Sequence, residues 1–144
     1  MLPWMVVPFE MEMYDEVLRL WQSCEGIGLS AADERERIAA YLLRNPGCSF
    51  VVKANGIIAG ALLAGHDGRR GYLHHLAVAK DCRRQGIARS LVAAALAALK
   101  KAGIEKCHLF LFTDNSSGRE FWQTLGWQYR MDIAVVSHNL HSCC

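Results

Sequence analysis

No apolar run in the sequence is long enough to cross a bilayer: the longest, Leu91 to Leu99, falls well short of a spanning helix. No basic lead-in precedes the first apolar residues, Met1-Leu2-Pro3-Trp4-Met5-Val6-Val7. The expectation is a cytoplasmic protein with no membrane partner. An excess of charge is missing too. The net charge is only +2, and basic residues gather locally at Arg69-Arg70 and Arg83-Arg84 without a stripe of stacking aromatics, so nucleic acid is not an expected partner. Paired cysteine spacing is also absent. The six cysteines (Cys24, Cys48, Cys82, Cys107, Cys143 and Cys144) are scattered, several within apolar segments where a reduced thiol behaves as a small hydrophobe. Disulfides are not expected. The tail from His138 to Cys144 carries soft ligands but has no second ligand pair nearby to close a tetrahedral site, so no metal is expected.

Internal repeats, low-complexity blocks and Pro/Gly/Ser-rich linkers are likewise lacking, and 144 residues with 52% hydrophobic content suit one core. Residues 1–144 therefore read as a single domain. The elements alternate in type. A strand near residues 3 to 9 precedes a helix in which Tyr14, Val17, Leu18 and Trp21 recur at helical spacing. Ser30 followed by Asp33 reads as a capping box opening a second helix with Ile38, Tyr41 and Leu42, which ends at Asn45-Pro46-Gly47. Cys48 to Ala54 and Ile57 to Gly65 flank Asn55-Gly56, the signature of a hairpin with a type I′ turn. Tyr72 to Val78 reads as a fourth strand, Gly86 to Ala102 as a long alanine-rich helix, and Cys107 to Phe112 as a fifth strand parallel to the fourth. A helix over Ser116 to Leu125 and strand material from Trp127 to Val136 follow. Hairpins first and a parallel unit later imply an α/β or mixed α+β fold, a mixed sheet with helices on both faces.

The turn from the fourth strand into the long helix carries the most chemical information. In Arg83-Arg84-Gln85-Gly86-Ile87-Ala88-Arg89-Ser90, small residues lie at the helix start, where free N–H groups and the dipole favour an anion. Arg83, Arg84 and Arg89 add mobile positive charge. A P-loop would need a Gly-Lys-Ser/Thr ending and a dinucleotide fold Gly-x-Gly-x-x-Gly; neither is present. A merely well-capped helix with solvated arginines is the plainer alternative.

Arg83 to Ala88 resembles the Gln/Arg-x-x-Gly-x-Gly/Ala acetyl-CoA signature of the GNAT acetyltransferase superfamily, in its small bacterial form, and Leu76-Ala77-Val78 resembles the strand that precedes it. Asn115-Ser116-Ser117-Gly118-Arg119-Glu120-Phe121-Trp122-Gln123-Thr124-Leu125-Gly126-Trp127 is similar to the family's Asn-x-x-Ala-x-x-Phe-Tyr-x-x-x-Gly-Phe segment. The resemblance spans about residues 50 to 130. It implies one mixed sheet of about six or seven strands flanked by about four helices, with the central parallel strands splayed apart. It implies acetyl-CoA as acyl donor, its pyrophosphate held by the backbone amides of Gln85, Gly86, Ile87 and Ala88, with Arg83, Arg84, Arg89 and Ser90 also among the cofactor-binding residues. The pantetheine would lie along Leu76, Ala77 and Val78, with Asn115, Phe121 and Trp122 on the far side. The partner is an amine acceptor, attacked directly in a ternary complex.

An amine must lose a proton before it attacks, and the leaving thiolate must be stabilised or protonated. Strand alternation places Tyr72, His74, Leu76 and Val78 on one face and Leu73, His75 and Ala77 on the other. Family members resemble this chain with a strand histidine at His74, and others carry a glutamate at Tyr72. His74 is the expected general base, directly or through water; the competing reading is a structural histidine with water alone as base. The family's acid is the tyrosine of the Phe-Tyr pair. Here Trp122 occupies that place, and because indole cannot supply a proton at working pH, either the thiolate leaves with stabilisation from backbone amides and the helix dipole, or Tyr129 or water substitutes. The lost tyrosine leaves a non-catalytic acyl-CoA sensor as the alternative. For the acceptor, Tyr14, Trp21, Glu25 and Asp67 are candidate contacts around the loop from Glu25 to Ser30. Small amines and peptide or protein N-termini both remain open, with a lean to ribosomal-protein N-termini. An exposed edge on the C-terminal strands would suit a homodimer.

Overall fold

The computed structural model describes residues 3–141. Two compact units divide the chain, one ending at Phe112 and the other beginning at Thr113. The first contains strand β1 (Trp4–Pro8), helices α1 (Tyr14–Ser23) and α2 (Arg35–Arg44), strands β2 (Phe50–Ala54), β3 (Ile57–His66) and β4 (Gly71–Val78), helix α3 (Ile87–Lys101) and strand β5 (Cys107–Leu109). The second contains helix α4 (Ser116–Thr124). The sheet order is β1-β2-β3-β4-β5, antiparallel except for the parallel β4–β5 pair. This is a mixed α+β fold, with five strands among the described residues where six or seven were expected.

Local sequence accounts for most of these elements. Asn55 and Gly56 have φ of 54° and 77°, the two left-handed positions that a type I′ hairpin requires. The capping box is present: Ser30 Oγ accepts from the Ala32 N–H at 3.2 Å, and Asp33 Oδ2 accepts from the Ser30 N–H at 3.0 Å. It opens a short 3₁₀ turn, Ala31–Asp33, immediately before α2. Tyr14, Val17, Leu20 and Trp21 form the buried stripe of α1, and Asp15 and Glu16 in its first turn complement the helix dipole.

The central strands are covered on both faces, which is why β3 reads as an unbroken apolar run. Val51, Ala61, Leu63 and Ala77 pack with Tyr14, Val17, Trp21 and Ile38 of α1 and α2. On the other face lies α3, with Ile87, Leu91, Val92, Ala95 and Leu99 buried. Gly60 sets its approach: a Cβ there would lie 2.9 Å from Ile87 Cγ2, 3.1 Å from Leu91 Cδ1 and 3.2 Å from the Ala77 carbonyl. Gly60→Ala should therefore destabilise the fold by about 1–3 kcal/mol through overpacking, read as a lowered Tm in a thermal melt.

Two strand expectations are corrected. Only Cys107–Leu109 pairs in the fifth strand, because β4 and β5 part after the Leu73↔Leu109 pair, leaving Phe110 and Phe112 exposed. Residues 127–136 contribute no strand; Met131, Ile133, Val135 and Val136 are exposed, and β5 is the last strand of the sheet. Their alternating apolar pattern has no ladder to join. No helix among the described residues is long and apolar enough to cross a membrane. Cys24, Cys48, Cys82 and Cys107 are free thiols, while Cys143 and Cys144 lie outside the described residues.

Candidate active site

A β-bulge in β4 organises the candidate site of the first unit. The β3–β4 register runs Leu63↔His74 and then Ala61↔Ala77, so two residues of β4 oppose Leu62. His75 adopts φ 57°, a left-handed conformation in the middle of a strand. Beyond the bulge, strict alternation fails. A Cβ on Gly71 would touch Leu99 of α3, whereas Ala77, an even number of residues later, packs in the cluster with α1 and α2. Leu73 and Ala77 therefore do not share a face as alternation predicts, and His75 does not point away from His74. Both histidines face the α1 and α2 layer: the His74 ring lies 6.1 Å from Tyr41 and the His75 ring 4.9 Å from Trp21.

The bulge also changes which edge the backbone offers. The Gly71 N–H bonds Lys106 O on the β5 side, while the Ala79 N–H bonds Ala59 O on the β3 side. The backbone groups of Leu76 and Val78 consequently turn toward the β5 side, where the parallel pairing has already ended. This gives an unpaired strand edge about the length of a short extended chain. Val78 is partly engaged, because Arg83 Nε donates to its carbonyl at 3.1 Å. Arg83 is thus tied to the strand end and is not the mobile charge expected of it.

Immediately beyond lies an open helix N-terminus. The N-cap of α3 is Gly86 at φ 83°, with no side-chain cap and no acidic residue in the first turn. The helix begins its own bonding with the Ser90 N–H on Gly86 O at 3.0 Å, so the N–H groups of Ile87, Ala88 and Arg89 precede the first intrahelical bond. Open space surrounds the Gly86 Cα, and Arg84, at φ 65°, is exposed beside it. Uncapped amides, the helix dipole and a free guanidinium together make an anion cradle. Gln85 is half-buried in this turn.

Rings surround His74. Tyr72 stacks against it at 6.4 Å and 13°, and Phe110 stacks on Tyr72 at 6.2 Å, with His108 at 5.9 Å from Tyr72. Burial, with His75 adding to it and Asp33 opposing it, holds His74 below its ordinary value of 6.5, so the neutral imidazole dominates at neutral pH. Burial pushes the Tyr41 hydroxyl up to about 12, which leaves Tyr41 a wall rather than a proton carrier. A Cβ on Gly28 would lie 3.0 Å from Phe112 Cζ, so the loop after α1 reaches the chain beyond β5.

Several expected acceptor contacts prove structural. Tyr14 is buried and donates to Asp33 O at 2.6 Å, and Trp21 is fully buried with Nε1 donating to His75 O at 2.9 Å. Asp67 accepts from the Arg69 and Arg70 N–H groups at 2.8 Å each, which lowers its carboxyl below the usual range, chiefly through Arg70. Glu25 is exposed. Sequence reasoning found the Asp33 cap but missed its second partner, His75, at 2.8 Å. The capping signal is local, whereas this contact joins residues 42 positions apart.

In the second unit, Asn115 caps α4 by accepting from the Gly118 N–H at 2.9 Å. A Cβ on Gly118 would lie 2.6 Å from Asn115 Nδ2, so alanine there would require the Asn115 side chain to shift. Phe121 packs edge-on against Trp122 at 5.1 Å, Trp122 against Trp127 at 4.9 Å, and the Arg119 guanidinium sits 3.7 Å over the Tyr129 ring.

The family model described as acetyltransferase (GNAT) family matches residues 13–127. An acetyltransferase of Pectobacterium atrosepticum is 29% identical over 120 residues, covering 83% of this chain and 84% of its own length. Among solved structures, the aminoglycoside N-acetyltransferase AAC(6′)-Iy, bound to a CoA-based bisubstrate analogue, matches with a TM-score of 0.77 at 16% identity, over 95% of this chain and 99% of its own. The ribosomal-protein-S18-alanine N-acetyltransferase of Escherichia coli matches with a TM-score of 0.68 at 19% identity, over 86% and 77%. At these identities the solved structures share the fold.

Proposed function

The chain belongs to the acetyltransferase (GNAT) family, and from that premise we propose that it moves the acetyl group of acetyl-CoA to a primary amine, on a small molecule or a peptide N-terminus, by direct attack in a ternary complex. The observation that carries this reading is the pairing of an uncapped α3 N-terminus with the open edge of β4, a cradle for a pyrophosphate next to a strand edge for an amide-bearing arm. The family match crosses from the first unit into the second, which supports treating the two as one acetyltransferase domain.

Acetyl-CoA supplies an activated acetyl thioester; the chain's own residues hold and orient it and move protons. Amides of Ile87, Ala88 and Arg89 with the Arg84 guanidinium hold the pyrophosphate, flanked by Gln85, Gly86 and Ser90. Backbone groups of Leu76 and Val78 hold the extended arm, and the family resemblance assigns Asn115, Phe121 and Trp122 to cofactor binding as well. His74, kept neutral by burial, accepts the ammonium proton directly or through water. Tyr129 or water returns a proton to the departing thiolate, since Trp122 cannot. Tyr72 orients His74 through its stacked ring.

Solved structures that share the fold include an aminoglycoside N-acetyltransferase and a ribosomal-protein-S18-alanine N-acetyltransferase. Rings dominate the surroundings of His74 here, so amines flanked by apolar or planar groups should turn over faster than polyammonium sugars. Calorimetric titration of acetyl-CoA followed by a thiol-release assay over an amine panel tests both statements. Micromolar binding with turnover of at least one amine supports the proposal. Absence of binding overturns it, and binding without turnover on any amine points to an acyl-CoA sensor.

A further inference from the structure

The strained residue in β4 is held by side chains that the acetyl-transfer chemistry does not use. His75 Nε2 and Asp33 Oδ1 are 2.8 Å apart, with side chains only 16% and 9% exposed. Trp21 clamps the same residue twice, donating from Nε1 to its carbonyl at 2.9 Å and packing edge-on against its ring at 4.9 Å and 63°. Asp33 is itself fixed on two sides, by the Ser30 N–H on Oδ2 at 3.0 Å and by Tyr14 Oη donating to its carbonyl at 2.6 Å. A non-glycine residue at φ 57° within a strand is strained and persists there only where its surroundings impose that conformation.

We propose that the Asp33–His75 pair is a clasp that imposes the β4 bulge, making His75 a positioning residue for the acetyl-CoA edge. The reasoning is geometric. The bulge alone turns the backbone of Leu76 and Val78 toward the β5 side; without it, the strand would regain regular alternation and offer those groups to β3. Asp33 belongs to the capping box before α2, so the clasp also ties the loop after α1 to the strand that binds the donor. The Asp33–His75 hydrogen bond thereby links the acceptor-side loop to the donor edge.

This inference rests on the acetyl-CoA reading for its affinity readout, and a second readout stands without it. His75→Gly keeps the left-handed backbone at no steric cost and removes the imidazole; His75→Gln places an amide nitrogen at the reach of Nε2. The expected result is an acetyl-CoA Kd raised about tenfold in His75→Gly and Asp33→Ala, and restored to within about twofold in His75→Gln. In the free protein, the Ala79 amide, bonded to Ala59 O just beyond the bulge, should exchange about tenfold faster in His75→Gly, with Val51 and Val52 unchanged. Tyr14→Phe and Ser30→Ala loosen the surroundings of Asp33 but leave the Asp33–His75 hydrogen bond itself in place. If acetyl-CoA affinity simply follows Tm across all five variants, or His75→Gly exchanges and binds as the wild type does, the clasp is refuted. If the wild type binds no acetyl-CoA while Ala79 exchange still responds, the cofactor reading fails and the clasp survives.

Discussion

Gly86→Asp should weaken acetyl-CoA binding by about a hundredfold or more while leaving the protein folded. Two effects combine. Gly86 sits at φ 83°, where any side chain is strained, and its open surroundings mean that a side chain meets no clash and instead projects into the cradle. A carboxylate there occupies the position an anion would take, against the free amides at the start of α3. Gly86→Asn separates the effects, because asparagine matches aspartate in shape and backbone strain but carries no charge. Its loss should be about tenfold, and the difference between the two variants should shrink as salt is raised. Arg84→Ala removes the exposed guanidinium and should lower affinity several-fold. Calorimetry of the three variants at low and high ionic strength makes the comparison. Equal losses for aspartate and asparagine would remove the anion cradle from the argument.

How far the sequence reveals this site depends on the reach of each signal. The uncapped turn at Gly86 and the hairpin at Asn55-Gly56 are local, fixed by two or three residues, and the structure has both. The capping box at Ser30 and Asp33 is equally local and equally present. The bulge is not local. Nothing in Tyr72 to Val78 marks His75 as left-handed, because what holds it there is Trp21 on α1 and Asp33 before α2. A period-2 reading consequently assigns Ala77 the wrong face, although it places Tyr72 and His74 together correctly. Arg83 shows the same limit. A charge in a turn reads as free, and only the fold brings the Val78 carbonyl to it. Residues 127–136 fail for the opposite reason: their pattern suits a strand, but a pattern alone supplies no pairing partner, and these residues form no ladder.

His74→Gln should lower kcat/KM by about a hundredfold or more and remove the acidic limb of the pH profile, with acetyl-CoA affinity unchanged. The neutral imidazole is the form that accepts a proton. Burial holds its pKa below 6.5, so wild-type kcat/KM should rise with pH through an inflection below that value and then level until the acceptor's own ionisation intervenes. Glutamine preserves the shape and a hydrogen bond but cannot take up the proton, so its profile should lack that inflection. The same shift has a consequence for stability. Because the folded state holds the proton less tightly than the unfolded chain does, stability is fully present above about 6.5 and declines as pH falls toward the lowered folded value. His74→Gln should therefore lose less stability on acidification than the wild type over that window. A kinetic inflection that persists in the variant would assign the base to water, whereas a lost inflection with flattened acid stability would tie both effects to the one buried imidazole.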